Sequence, residues 1–128
     1  MRLLLDTHAF LWWLAGDEAL SRMSRQGIGT DADAVFVSSA SVWEISTKHR
    51  LGKLPGASAI VGDMAEAIAS QGLVGLPIEV RHAQAAGALP GPHRDPFNRM
   101  LIAQALTEDL VLVLNERVFD AYGVRRLW

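Results

Sequence analysis

Short apolar runs, each cut off by a polar residue or a turn and separated by helical stretches, constrain this chain more than any other feature. Leu3 to Leu5 in MRLLLD stop abruptly at the carboxylate of Asp6, as a buried parallel strand does when its C-terminal end opens on a site. AVFVS (34–38), with its β-branched and aromatic residues, reads as a second strand, LVGLP (73–77) as a third and LVLVL (110–114) as a fourth. A helix capped by Thr7 carries Phe10, Trp13 and Leu14 on one face, and a second helical stretch covers about 18–27. Ser38 and Ser39 lead into a helix to about residue 51, with Val42, Trp43 and Ile45 available to a core. Further helices are expected at about 58–70, 79–87 and 96–108, with a turn at TDAD (30–33) and a loop at ALPGPHRDP (88–96). VRRLW (124–128) comes last. This alternation, free of repeats and low-complexity linkers, argues for one α/β domain over residues 1–128, with a largely parallel sheet and helices on both faces.

Composition narrows the class. Half the residues are hydrophobic and a fifth are charged, which excludes a disordered chain. With no cysteine there is neither a disulfide framework nor a thiolate metal site. The apolar stretch AFLWWLA (9–15) is too short to span a bilayer and lacks the basic flank and cleavage site of a secretory signal. A cytoplasmic protein without membrane attachment is the expectation. The formal charge of −2 gives no bulk attraction to nucleic acid, so any such function depends on a local patch.

In open parallel sheets, ligands bind outside the carboxyl ends of the strands, near the point where strand order reverses. Asp6 follows the first strand, Glu44 lies within the helix after the second, Asp95 and Asn98 begin the helix before the fourth, and Glu116 follows that strand. These side chains are expected at one edge of the sheet. Crowded carboxylates repel by about 4 kcal/mol per pair at an effective dielectric of 20. They relieve that repulsion by taking up protons or by holding a cation. A hard ion such as Mg²⁺ suits an oxygen-only site with one or two direct carboxylates, and a metal there activates water toward a phosphodiester.

Taken singly, each acid also has a structural reading. Asp6 is a possible helix cap, and Glu44 and Lys48 stand at the i, i+4 spacing of an ordinary ion pair. Asp95 before Pro96 is a good N-cap with proline at the next position, and Glu116 suits a turn. The basic residues Lys48, His49, Arg50 and Lys53 follow Glu44, while His93, Arg94 and Arg99 flank Asn98. They read either as phosphate contacts, with Lys48 and Arg99 nearest the scissile position, or as a solvated helix end and loop.

LLLDTHAFLWWL, SSASVWEISTK, DPFNRMLIAQAL and FDAYGVRRLW, in this order, resemble a PIN-domain protein of the VapC type, a toxin ribonuclease of bacterial toxin–antitoxin pairs. The resemblance implies a three-layer α/β/α sandwich around a mainly parallel sheet, and Mg²⁺- or Mn²⁺-dependent endonucleolytic cleavage of RNA. It also implies a homodimer and a cognate antitoxin that covers the active-site groove. Carried over by position, Asp6, Glu44 and Asn98 match the first three catalytic positions, with Asp95 as a companion, and Glu116 matches the fourth. Metal contacts then fall to Asp6, Glu44, Asp95 and Asn98, and RNA contacts to Lys48, Arg94 and Arg99.

Three positions depart from that pattern. Asn98 stands where the family prefers Asp, Glu116 is one methylene longer than the preferred Asp, and Leu114 replaces a usual hydroxyl residue. Asn98 still offers a neutral oxygen but no charge, so weaker metal binding and slower hydrolysis are expected. The alternative is a module that binds RNA, antitoxin or both without efficient cleavage. Trp12, which cannot share a helix face with Trp13, is a candidate for contact with a second copy or an antitoxin.

Overall fold

The computed structural model describes residues 1–128. Its sheet contains β1 (Arg2–Leu5), β2 (Ala34–Ser38), β3 (Val74–Leu76), β4 (Val111–Val113) and β5 (Arg126–Leu127). All neighbouring strands are parallel and the order is β3-β2-β1-β4-β5. Strand order therefore reverses beside β1, between β2 on one side and β4 on the other. The helices are α1 (Thr7–Ala15), α2 (Arg22–Gln26), α3 (Ser39–Arg50), α4 (Met64–Ser70), α5 (Val80–Ala88) and α6 (Pro96–Glu108). None is long and apolar enough to cross a membrane.

The period-2 geometry of a strand makes the three layers. Leu3 and Leu5 of β1, with Val35, Val37, Val111 and Val113, face a core shared with Phe10, Ile45, Met64 and Ile68. Leu4, Leu112 and Leu114 face the opposite core, shared with Leu101, Ile102, Ala105 and Phe119. Near-continuous apolar runs are what strands buried on both faces require, and this is the expected α/β/α sandwich with a parallel sheet.

Local departures from the expected elements have local causes. The cap of α1 is Asp6, not Thr7: its carboxylate accepts the Ala9 N–H at 2.7 Å and Thr7 becomes the first helical residue. The stretch expected as helix 18–27 shortens to α2, started by Ser21, and runs on through a single wide turn at Gly27–Asp31. The helix expected from 58 begins only at Met64, where Asp63 caps it by accepting the Glu66 N–H at 3.0 Å. Upstream, Pro55, Gly56 and Gly62 leave only a 3-10 turn at Pro55–Ala57. On α3, Ile45 is fully buried but Trp43 is 61 % exposed, so the latter is no core residue. Trp12 is half-buried between the rings of His8 and Trp128.

A buried polar link joins the sheet to α6. Ser38 caps α3 by accepting the Ala40 N–H and donates to Gln104 Oε1 at 2.5 Å, while Gln104 Nε2 donates to the Pro77 carbonyl at 3.2 Å. Ser38 and Gln104 are both fully buried, so removing one partner strands the other away from water. Gln104→Leu is expected to destabilise the protein by about 1–3 kcal/mol, read as a lower urea midpoint at unchanged m-value.

Candidate active site at the C-terminal edge of the sheet

Asp6 sits immediately beyond β1, where its backbone N–H continues the sheet by donating to Val113 O at 3.1 Å. Capping α1 holds the carboxylate half-buried at the strand-order reversal. Burial pushes its pKa up from the ordinary 3.8 to about 7; the Ala9 N–H opposes the rise, and the nearby charges of Glu116 and Glu44 add to it. Asp6, Glu44 and Glu116 thus converge from β1, α3 and the turn after β4.

Glu44 is 5 % exposed. Its carboxylate is held from two sides: Thr7 donates to Oε1 at 2.5 Å and Lys48 Nζ donates to Oε2 at 2.5 Å. The Thr7 hydroxyl also lies 3.0 Å from that of Ser41. The i, i+4 pair is therefore real but not a surface pair, since the acid is buried and the lysine half-buried. Thr7 and Ser41 are site residues that sequence reasoning missed. Position was their signal, Thr7 next to Asp6 and Ser41 one turn before Glu44 on the same helix face.

The third group lies on α6. Asp95 caps the helix, its Oδ1 accepting the N–H groups of Phe97 at 2.9 Å and Asn98 at 3.1 Å. The structural and catalytic readings of Asp95 are compatible, because Oδ2 stays outside the cap. Asn98 is half-buried. Glu116 is exposed at the start of the 3-10 turn Arg117–Tyr122. Leu114 is buried in the apolar core, so nothing polar stands at its position in the site.

Of the basic residues, Lys48 reaches the acids and Arg94 is exposed on the loop. Arg99 is committed elsewhere. Its guanidinium donates to the carbonyls of Ala86 at 3.1 Å, Leu89 at 2.5 Å and His93 at 2.9 Å. It clamps the 88–95 loop to α6, and three of its five N–H donors are used in doing so.

The site's oxygen-only chemistry fits a hard divalent cation. Asp6 relieves the local repulsion by holding its proton to about pH 7, and Glu44 by pairing with Lys48, which are the two remedies a bound cation replaces. No three of these acids bring their oxygens within 4.8 Å of one another; the group that does is Glu79, His82 and Glu108. That group lies at the opposite edge, where Arg2 at the start of β1 donates to the Glu108 carbonyl. There His82 Nδ1 accepts the Glu79 N–H at 3.0 Å, which assigns the ring proton to Nε2, facing Glu108 Oε1 at 2.8 Å. A metal on Nε2 would need that proton moved to Nδ1, against the Glu79 N–H. Arg81 also pairs with both glutamates. This cluster is an ion-paired clasp between the start of α5 and the end of α6.

A family model described as the PIN domain matches residues 3–124, which take in β1 to β4 but for Arg2, and all six helices. The chain belongs to the PIN-domain family. Among solved structures, it is similar to VapBC2 from Rickettsia felis bound to a DNA fragment from its promoter, with 14 % identity, 98 % and 97 % of the two chains covered and a TM-score of 0.72. DNA-bound VapBC from Salmonella typhimurium is 18 % identical, with 98 % and 96 % covered and a TM-score of 0.67. VapC20 of Mycobacterium tuberculosis, a toxin described as cleaving the sarcin–ricin loop, is 13 % identical, with 95 % of each chain covered and a TM-score of 0.68. No curated protein sequence matches the chain.

The raised pKa of Asp6 has a consequence for this PIN domain's stability. Between pH 3.8 and about 7 the folded state keeps a proton that the unfolded chain has released, so stability falls as pH rises through that window. Asp6→Asn keeps a capping oxygen and removes the charge. It is expected to raise the melting temperature of the metal-free protein at pH 8, with a gain that shrinks toward pH 5. An equal gain at both pH values would show that the carboxylate is not strained.

Proposed function

We propose that this chain is the toxin of a type II toxin–antitoxin pair, a Mg²⁺- or Mn²⁺-dependent endoribonuclease acting through Asp6, Glu44, Asp95, Asn98 and Glu116. The observation that carries the reading is the convergence of Asp6, Glu44 and Glu116 at the strand-order reversal of a PIN fold, where burial and neighbouring charge hold Asp6 protonated without a cation. Asp6, Glu44, Asp95 and Asn98 would hold the ion, which would supply a water of lowered pKa and offset charge on the phosphodiester. Thr7, itself bonded to Ser41, orients Glu44, and Lys48 is the internal cation that such an ion displaces, leaving its ammonium for a phosphate. Hydrolysis joins the water oxygen to phosphorus, breaks the bond to the 3′ oxygen and leaves a 5′-phosphate and a 3′-hydroxyl.

Support for a protein partner comes from the neighbours solved as VapBC pairs. A cognate antitoxin over the acidic edge and a homodimer are part of the same proposal, as is a cytoplasmic location. Asn98 contributes an oxygen but no charge, so this copy cuts more slowly than one with an acid there. The competing reading, binding without efficient cleavage, rests on that same neutral residue.

Cleavage of single-stranded RNA by the purified protein with Mg²⁺ or Mn²⁺ separates the two readings. Glu44→Gln is expected to lower the rate at least about a hundredfold, and Asn98→Asp to raise it and lower the metal concentration needed for half-maximal rate. If the unaltered chain and Asn98→Asp are both inert while RNA or antitoxin still binds, the binding-module reading replaces the enzyme. The salt dependence of RNA binding tests the basic residues: Lys48→Ala should reduce the slope of log affinity against log salt by about one, and Arg99→Met should leave it unchanged.

A further inference from the structure

Trp43 stands one residue before Glu44 on α3, and Phe97 one residue before Asn98 on α6. Their ring centroids are 4.9 Å apart with planes at 75°, an edge-to-face pair. A core pair would be covered, yet Trp43 is 61 % exposed. Both rings line a slot of about 210 Å³, together with Ala40, Ile78, Gly87 and Met100. Arg99 also lines it, fixed by its three carbonyl contacts. An apolar slot with an open aromatic wall and a cation held in place thus adjoins two of the site residues through the chain itself.

We propose that the Trp43–Phe97 pair and its slot receive one unpaired nucleobase of the RNA, next to the phosphate being cut. The inference rests on the nuclease reading above and names what that site would recognise. Every base has a π-face that stacks on an indole, while a paired base in a duplex has none free to insert. The slot is too small for a helix of nucleic acid, so it selects single-stranded segments, loops or extruded bases. Because Trp43 and Phe97 precede Glu44 and Asn98 on two different helices, seating a base there would fix the register of the backbone against the acids. Stacking contributes no counterion release, so its signature differs from that of a phosphate contact.

Binding of a labelled single-stranded RNA in metal-free buffer, together with cleavage of the same RNA in Mg²⁺, tests this. Trp43→Ala should weaken binding about tenfold with an unchanged salt slope, and Trp43→Phe should keep most of the affinity. With the unaltered protein, moving an abasic nucleotide along the RNA should reproduce the loss at one position flanking the cut. The same abasic RNA should cost Trp43→Ala nothing more. A flat abasic profile overturns the subsite while leaving cleavage intact, and needs no variant to fold. If sedimentation shows that Trp43→Ala separates two copies of the chain with RNA affinity unchanged, the slot is a self-association face instead. A protein that neither binds nor cuts RNA removes the nuclease reading, and the subsite with it.

Discussion

One hydrogen bond, from the Ala9 N–H to the carboxylate of Asp6, ties the start of α1 to the acidic edge. It is favourable because an acid suits a helix N-terminus, and it holds the acid where water is scarce and other acids are near. Three consequences spread from that placement. Thr7 is carried into the first turn, where its hydroxyl reaches Glu44; Glu44 turns inward and needs Lys48; and α1 and α3 are locked at a fixed separation across the mouth of the sheet. The fold thus builds repulsion into its acidic edge and relieves it with a proton and an ammonium group.

The sheet was legible in the chain because strands buried on both faces must be apolar throughout. β1, β2 and β4 therefore appear as near-continuous runs, and the position of Asp6 and Glu116 just beyond two of them followed from topology. The helices were less legible where capping overrode pattern. Residues 58–63 were expected as helix, yet Gly62 interrupts the run and Asp63 accepts the Glu66 N–H, so α4 starts only at Met64. Trp43 was misassigned because α3's periodicity cannot say which face meets the sheet and which meets α6.

At the site, the resemblance to VapC-type proteins supplied the correspondence of positions, and the structure supplied the constraints on them. Arg99 shows what sequence alone leaves out: an arginine among acids reads as a phosphate contact, and in the fold three of its five N–H donors go to carbonyl oxygens. Thr7 shows the reverse: read in sequence only as a helix cap, it holds a buried glutamate, with Ser41 bonded to its hydroxyl. Glu79, His82 and Glu108 look ligand-like by distance, and the direction of a backbone N–H together with Arg81 on both glutamates tells them from a metal site.

The Arg99 clamp also bears on how such a chain can diversify. Arg99 holds the 88–95 loop through the backbone carbonyls of Leu89 and His93, which every amino acid possesses, so those two contacts do not depend on which side chains stand there. Arg94, exposed on that loop, can change without loosening the clamp, whereas Pro90 and Pro92 set the backbone between the two held carbonyls. A side chain changed at Arg94 would therefore alter the surface the loop presents while leaving Asp95 anchored where α6 begins.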